Sequence, residues 1–153
     1  MQKILMVCLG NICRSPLAEG ILKSKVSPEK IFVDSAGTAS YHIGNKPDIR
    51  SINVAASFGL DISSQKARKF SVKDFDQFDI IYVMDQSNYD HLLLLARNDQ
   101  EANKLKLILN ESHPNQNRSV PDPYDGQRSG FEDVYLMLNE ACECIIKKIE
   151  DAR

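Results

Sequence analysis

Short apolar runs of strand length alternate along this chain with stretches of helical periodicity, and that alternation restricts the fold more than any other feature. Lys3-Ile4-Leu5-Met6-Val7 is the first run, and it ends in a glycine-containing loop. Ile31-Phe32-Val33 is the second, closed by Asp34-Ser35-Ala36-Gly37. Asp79 to Met84 is the most continuous, apolar on both faces as a central parallel strand requires. A fourth passes through Leu105, Leu107 and Ile108. Between the strands, Ser15-Pro16 reads as a helix start, with the serine as N-cap and the proline at the first helical position. Leu17, Ala18, Ile21, Leu22 and Val26 form its apolar stripe. Pro47 opens a second helix with Ile49, Ile52 and Ala56 inward and Gly59 as its stop. Ser71 to Asp74 begins a short helix, residues 86–97 form another, and the last carries Phe131, Val134, Leu138, Cys142, Ile145 and Ile149 on one face. The pattern predicts an α/β fold, a parallel sheet covered on both faces by right-handed crossovers. Ligands bind such sheets beyond the carboxyl ends of the strands, which places residues 8–15 in the expected site.

A chain of 153 residues reads as a single domain, 1–153, long enough to bury a core without disulfide or metal staples. Nineteen basic residues against 21 acidic leave a net charge of −2, so no basic excess exists to hold nucleic acid. No apolar run approaches the roughly 20 residues of a spanning helix, and no membrane partner is expected. Cys8, Cys13, Cys142 and Cys144 are too few and too clustered for a secreted disulfide framework. They read as thiols of a cytoplasmic protein. His42, His91 and His113 lack metal-ligand spacing and read as surface histidines, and Cys142-Glu143-Cys144 is a poor zinc pair. No metal site is expected.

Residues 8–15 read Cys-Leu-Gly-Asn-Ile-Cys-Arg-Ser. A tight strand-loop-helix turn points successive backbone N–H groups inward and forms an anion nest at a helix N-terminus. The segment is not a nucleotide P-loop, because no Gly-Lys-[Ser/Thr] follows at the required spacing. It begins instead with a thiol and ends with an arginine, whose planar fork can hold two phosphate oxygens. Inward dipoles, a helix N-terminus and Arg14 all favour Cys8 as a thiolate. The loop therefore binds a tetrahedral oxyanion and aims a nucleophile at its centre. Expelling a weakly acidic oxygen leaving group from a bound phosphate ester would also require a proton donor. Asp122, held between Pro121 and Pro123, is the candidate.

Cys8 to Pro16 resembles the phosphate-binding loop of the low molecular weight protein tyrosine phosphatases. The resemblance continues through Asp34 to Thr38, Gly44, Pro47 to Arg50, Lys66-Ala67-Arg68, Asp74-Phe75, Phe78-Asp79, Met84-Asp85 with Asn88, and Asp122-Pro123-Tyr124. It implies a four-stranded parallel sheet, no cofactor, tyrosine-phosphorylated proteins as substrates, and inhibition by inorganic phosphate and other oxyanions. Cys8 would attack phosphorus, Asp122 would act as acid and then base, and Arg14 with the loop N–H groups would hold the equatorial oxygens. The resemblance gives Ser15 a hydrogen bond to the Cys8 sulfur, a role compatible with N-capping, and gives Asn11 the task of holding the loop open. Leu9, Gly10, Asn11, Ile12, Cys13 and Arg14 would line the substrate site, with Tyr41 and Tyr124 as walls that stack on an aromatic ring. Gln65 and Asp125 depart from vertebrate relatives, which carry histidine and tyrosine there.

Three other functions are compatible with parts of the pattern. Arsenate reductases of this fold need two further cysteines, and none lies between Cys13 and Cys142. Protein arginine phosphatases carry threonine at the position of Ile12, whose apolar side chain suits an aromatic ring better than a guanidinium. An idle phosphoprotein-binding module would not need both Cys8 and Asp122. Cys13, five residues from Cys8, is read either as packing or as a redox partner that captures a sulfenic acid on Cys8.

Overall fold

The computed structural model describes residues 1–152, and its elements follow the predicted alternation. They run β1 (Gln2–Cys8), α1 (Arg14–Lys25), β2 (Ile31–Gly37), α2 (Ile49–Ser57), α3 (Asp74–Gln77), β3 (Ile80–Val83), α4 (Gln86–Leu95), α5 (Asp99–Ala102), β4 (Leu105–Leu107), a 3-10 turn (Ile108–Asn110) and α6 (Arg128–Asp151). The strands make one four-stranded sheet in the order β2-β1-β3-β4, and every pairing is parallel. After β2 the chain crosses to the other side of β1. The loop that leaves β1 therefore sits where the strand order reverses, the usual ligand crevice of an open α/β sheet.

Alternation along β1 supplies both cores. Ile4, Met6 and Cys8 pack with the apolar faces of α1, α2 and α6 on one side. Leu5 and Val7 pack with Phe75 of α3 and Leu92 of α4 on the other. On α6, Phe131, Val134, Leu138, Cys142 and Ile145 are buried as their spacing predicts, and Ile149 packs against the same cluster at the edge. Shortening a residue such as Leu138 to alanine would cost about 2–5 kcal/mol by leaving a cavity in this layer.

Two helix starts differ from expectation. α1 begins at Arg14 with Cys13 in the N-cap position, so Ser15 lies inside the first turn and caps nothing. Its hydroxyl is engaged with Cys8 instead. α2 begins two residues after Pro47, capped by Asp48, whose side chain accepts a hydrogen bond from the Arg50 N–H at 2.9 Å. Its inward face is Ser51, Val54 and Ala55, whereas Ile49 is 63% exposed and Ile52 only partly buried. A serine can face inward because its hydroxyl donates to the Cys13 carbonyl at 3.3 Å. Gly59 follows the helix with φ +85°, the left-handed stop expected of it. The fourth strand ends at Leu107, and Ile108 begins the 3-10 turn rather than extending the sheet.

Candidate active site

The loop after β1 is shaped from beneath by Asn11. This residue has φ +58°, a left-handed conformation that asparagine tolerates better than most side chains. Its amide nitrogen donates to Ser15 Oγ at 2.8 Å and to Ser35 Oγ at 2.9 Å. Its carbonyl accepts from the Arg68 backbone N–H at 3.0 Å. Ser35 Oγ in turn donates to Glu19 Oε1 at 2.6 Å, and Lys23 Nζ donates to Glu19 Oε2 at 2.6 Å. Because Ser15 Oγ accepts from Asn11, its hydrogen is left for Cys8 Sγ, 3.0 Å away. That polarity suits a sulfur bearing negative charge.

Gly37 at the end of β2 lies directly under the loop. A Cβ there would meet Leu9 O at 2.7 Å and Asn11 N at 3.1 Å, so only glycine lets the two backbones approach this closely. The loop is tied to the same segment by Thr38 N–H to Cys8 O and Ala39 N–H to Leu9 O, each 2.9 Å. Arg68 steadies the neighbouring segment by a two-pronged pair with Asp74 and a contact to Asp34. No side chain caps α1, in contrast to α2 and α4. Uncapped first-turn N–H groups beside a sulfur suit a tetrahedral anion.

Arg14 is buried, and its direction is fixed by partners far along the chain. Nη1 donates to Asp85 Oδ2 at 2.7 Å and to the Val120 carbonyl at 2.9 Å. Asp85 is itself held as N-cap of α4 in a reciprocal arrangement with Asn88. Nη2 lies 3.9 Å from Asp122 Oδ2, so the candidate acid stands beside the arginine without a direct hydrogen bond. Asp122 Oδ1 accepts the Tyr124 N–H at 3.1 Å, a local turn that aims the carboxyl group.

These groups face one cavity of about 140 Å3, lined by Cys8, Leu9, Gly10, Ile12, Cys13, Arg14, Tyr41, His42, Asp122 and Tyr124. A larger cavity, about 480 Å3, lies between α4 and the loop after β4 and is lined by no cysteine. Tyr41 and Tyr124, expected as walls, both line this cavity. Asn11, also expected to line the substrate site, has its side chain engaged in the network beneath the loop. His42, read as a surface residue, is a third wall, 6.3 Å from the Tyr41 ring and 6.2 Å from the Tyr124 ring. Asp85, Ser35, Glu19 and Arg50 also support the site, although sequence reasoning gave them no role. Only Asp85 carried a usable signal, at the end of the central strand with Asn88 at capping-box spacing. Cys13 is buried, and its thiol is pushed up to about 12 by desolvation, with Asp48, Cys8 and Asp122 adding to the rise. Asp48 is held below the usual carboxylate range chiefly by the hydrogen bonds of Arg50, against the opposing effect of burial. Among the described residues, no cluster of three or more histidine, cysteine or acidic side chains is placed to hold a metal ion.

The family model described as low molecular weight phosphotyrosine protein phosphatase matches residues 3–153. The chain belongs to this family. The human low molecular weight phosphotyrosine protein phosphatase is 38% identical over 152 residues, covering 96% of this chain and 95% of its own. A crystal structure of a protein tyrosine phosphatase from Entamoeba histolytica superposes with a TM-score of 0.91 at 39% identity, covering 99% of each chain. A Drosophila arginine phosphatase structure superposes with a TM-score of 0.88 at 33% identity, covering 97% of this chain and 98% of that one. The α/β fold with its four-stranded parallel sheet is thus the family fold, and the chain is a phosphotyrosine phosphatase, a hydrolase. Among the described residues no helix is long and apolar enough to cross a membrane.

Proposed function

We propose that residues 1–153 act as one catalytic domain that hydrolyses phosphotyrosine in proteins through a phosphocysteine on Cys8. The observation that carries this reading is the convergence of Cys8, Arg14 and Asp122 on one small cavity. Cys8 sulfur attacks phosphorus, the bond from phosphorus to the phenolic oxygen breaks, and Asp122 gives its proton to the departing phenolate. Asp122 then takes a proton from water, whose oxygen attacks phosphorus and returns Cys8 as thiolate with release of phosphate. Arg14 and the loop N–H groups hold the equatorial oxygens, and Ser15 stabilises the sulfur as it leaves. Leu9, Gly10, Ile12 and Cys13 form the cradle, while Tyr41, His42 and Tyr124 wall the aromatic ring. Inorganic phosphate and other oxyanions compete for the same cradle. Four free cysteines suit a reducing compartment, which supports a cytoplasmic location.

The similarity to an arginine phosphatase structure makes phosphoarginine the competing substrate. Ile12 on the cavity wall favours tyrosine, because an apolar wall leaves a guanidinium without polar partners. Assays on phosphotyrosine and phosphoarginine peptides, with Ile12→Thr and Cys8→Ser beside the wild type, test both parts of the reading. Wild type should prefer phosphotyrosine, Ile12→Thr should lose phosphotyrosine activity and gain phosphoarginine activity, and folded Cys8→Ser should be inactive on both. A wild-type preference for phosphoarginine, or turnover by Cys8→Ser, would overturn it.

A further inference from the structure

We infer that Arg50 is a positioning residue for Asp122, joining the acid loop to the phosphate loop through the first turn of α2. The inference rests on the proposed role of Asp122 as the acid. The first turn of α2 is attached to the nucleophile's loop: the Asp48 N–H donates to the Ile12 carbonyl at 2.8 Å, and Ser51 Oγ donates to the Cys13 carbonyl at 3.3 Å. From that turn Arg50 reaches across to the acid loop. Its Nη2 donates to the Tyr124 carbonyl at 2.7 Å and its Nη1 to the Gly126 carbonyl at 3.0 Å.

Asp48 fixes the guanidinium in this direction. Nε meets Asp48 Oδ1 at 3.0 Å and Nη2 meets Oδ2 at 2.9 Å, the two-pronged geometry that specifies orientation as well as contact. The guanidinium carbon also lies 4.5 Å from the Phe131 ring centroid and 5.6 Å from that of Tyr124, which keeps the plane against aromatic surface. Upstream of Asp122, the chain is held by Arg14 on the Val120 carbonyl and by the Val120 N–H on the Met84 carbonyl, 2.7 Å. Asp122 is thus suspended between two anchors, one on each side. Among the described residues, its own carboxylate touches only the Tyr124 N–H within hydrogen-bond distance. Arg50 does not line the cavity, so its action on the chemistry runs through the placement of Asp122.

Arg50→Met, Arg50→Lys, Asp122→Asn and the double variant Arg50→Met/Asp122→Asn test this in the full chain, on aryl phosphates graded from para-nitrophenyl to phenyl phosphate. The quantity read is kcat/KM, which reports the step that expels the phenol. Asp122→Asn should lose most on phenyl phosphate. Arg50→Met should reproduce that gradient, losing about tenfold more on phenyl than on para-nitrophenyl phosphate, since misplacing an acid by an ångström is that costly. Arg50→Lys, which can still reach one carbonyl, should recover part of the loss. In the Asp122→Asn background Arg50→Met should cost nothing further, and inhibition by inorganic phosphate should be unchanged. An Arg50→Met loss equal across the series, weakened phosphate inhibition, or an additive loss in the double variant would overturn the inference while Asp122→Asn stays leaving-group dependent. A flat Asp122→Asn series would instead overturn the acid assignment. Should Arg50→Met fail to fold, the same comparison with Arg50→Lys, at a smaller gradient, decides the matter.

Discussion

Asn11 uses both amide hydrogens and its carbonyl oxygen on Ser15, Ser35 and Arg68, so that a short loop around the reactive sulfur holds one shape. Cys13, within the same loop, is a different case. Burial and the surrounding negative groups push its thiol up to about 12, so at neutral pH it is a protonated, poor nucleophile. Iodoacetamide at pH 8 should therefore label Cys8 in the folded enzyme and leave Cys13 unlabelled until denaturant is added. Equal labelling of both would contradict the assignment. A redox role would require Cys13 to act only after peroxide has oxidised Cys8, its thiol displacing water from the sulfenic acid to close a Cys8–Cys13 bridge that dithiothreitol reopens. Cys13→Ser should stay active but recover poorly from peroxide, and full recovery would leave Cys13 as packing. That Cys8, Arg14 and Asp122 meet at one cavity was legible in the sequence, because a short motif and a stiff turn single out these residue types. The contacts that His42 and Arg50 make across 82 and 74 residues leave no local pattern, and for Asp85 the capping-box spacing marks the helix start but not its approach to Arg14 across 71 residues.

At the scale of elements, the buried strands and α6 were legible because their apolar spacing matches the sheet or helix period over several turns. α2 was misphased, because a serine with a loop carbonyl to bond took an inward position that an apolar pattern assigns to isoleucine. α5 and the 3-10 turn are too short to leave a periodic signal. The junction of β2 with the loop makes a sharp demand on sequence at Gly37. Gly37→Ala would drive a methyl to 2.7 Å from Leu9 O, a backbone atom that cannot step aside alone. We expect about 1–3 kcal/mol of lost stability, typical of overpacking. KM should also rise, because the displaced loop forms the anion cradle. Unchanged stability and KM in this variant would show that the contact is slack.

Across the whole molecule, strand and helix alternation placed the β1 loop beyond the carboxyl end of a parallel strand, and the strand order β2-β1-β3-β4 adds that this loop sits at the reversal point. Stability should show the cost of keeping buried thiols protonated. Cys13 and Cys142 are each pushed up to about 12, with burial the leading cause for both. Unfolded thiols ionise near pH ~8.5. Between those values the unfolded chain releases protons that the folded protein keeps, so stability falls as pH rises, by about 1.4 kcal/mol per pH unit for each thiol. Urea midpoints should therefore drop between pH 8.5 and 10.5, and the drop should be smaller for Cys142→Ala; a pH-independent midpoint would contradict this. Under the proposed mechanism, catalysis passes through a covalent phosphate on Cys8. Rapid acid quench of the enzyme turning over a phosphotyrosine peptide, followed by mass spectrometry, tests it most directly. One phosphate is expected on the peptide that contains Cys8, and none in the Cys8→Ser variant. Phosphate on another residue, or turnover by folded Cys8→Ser, would contradict it.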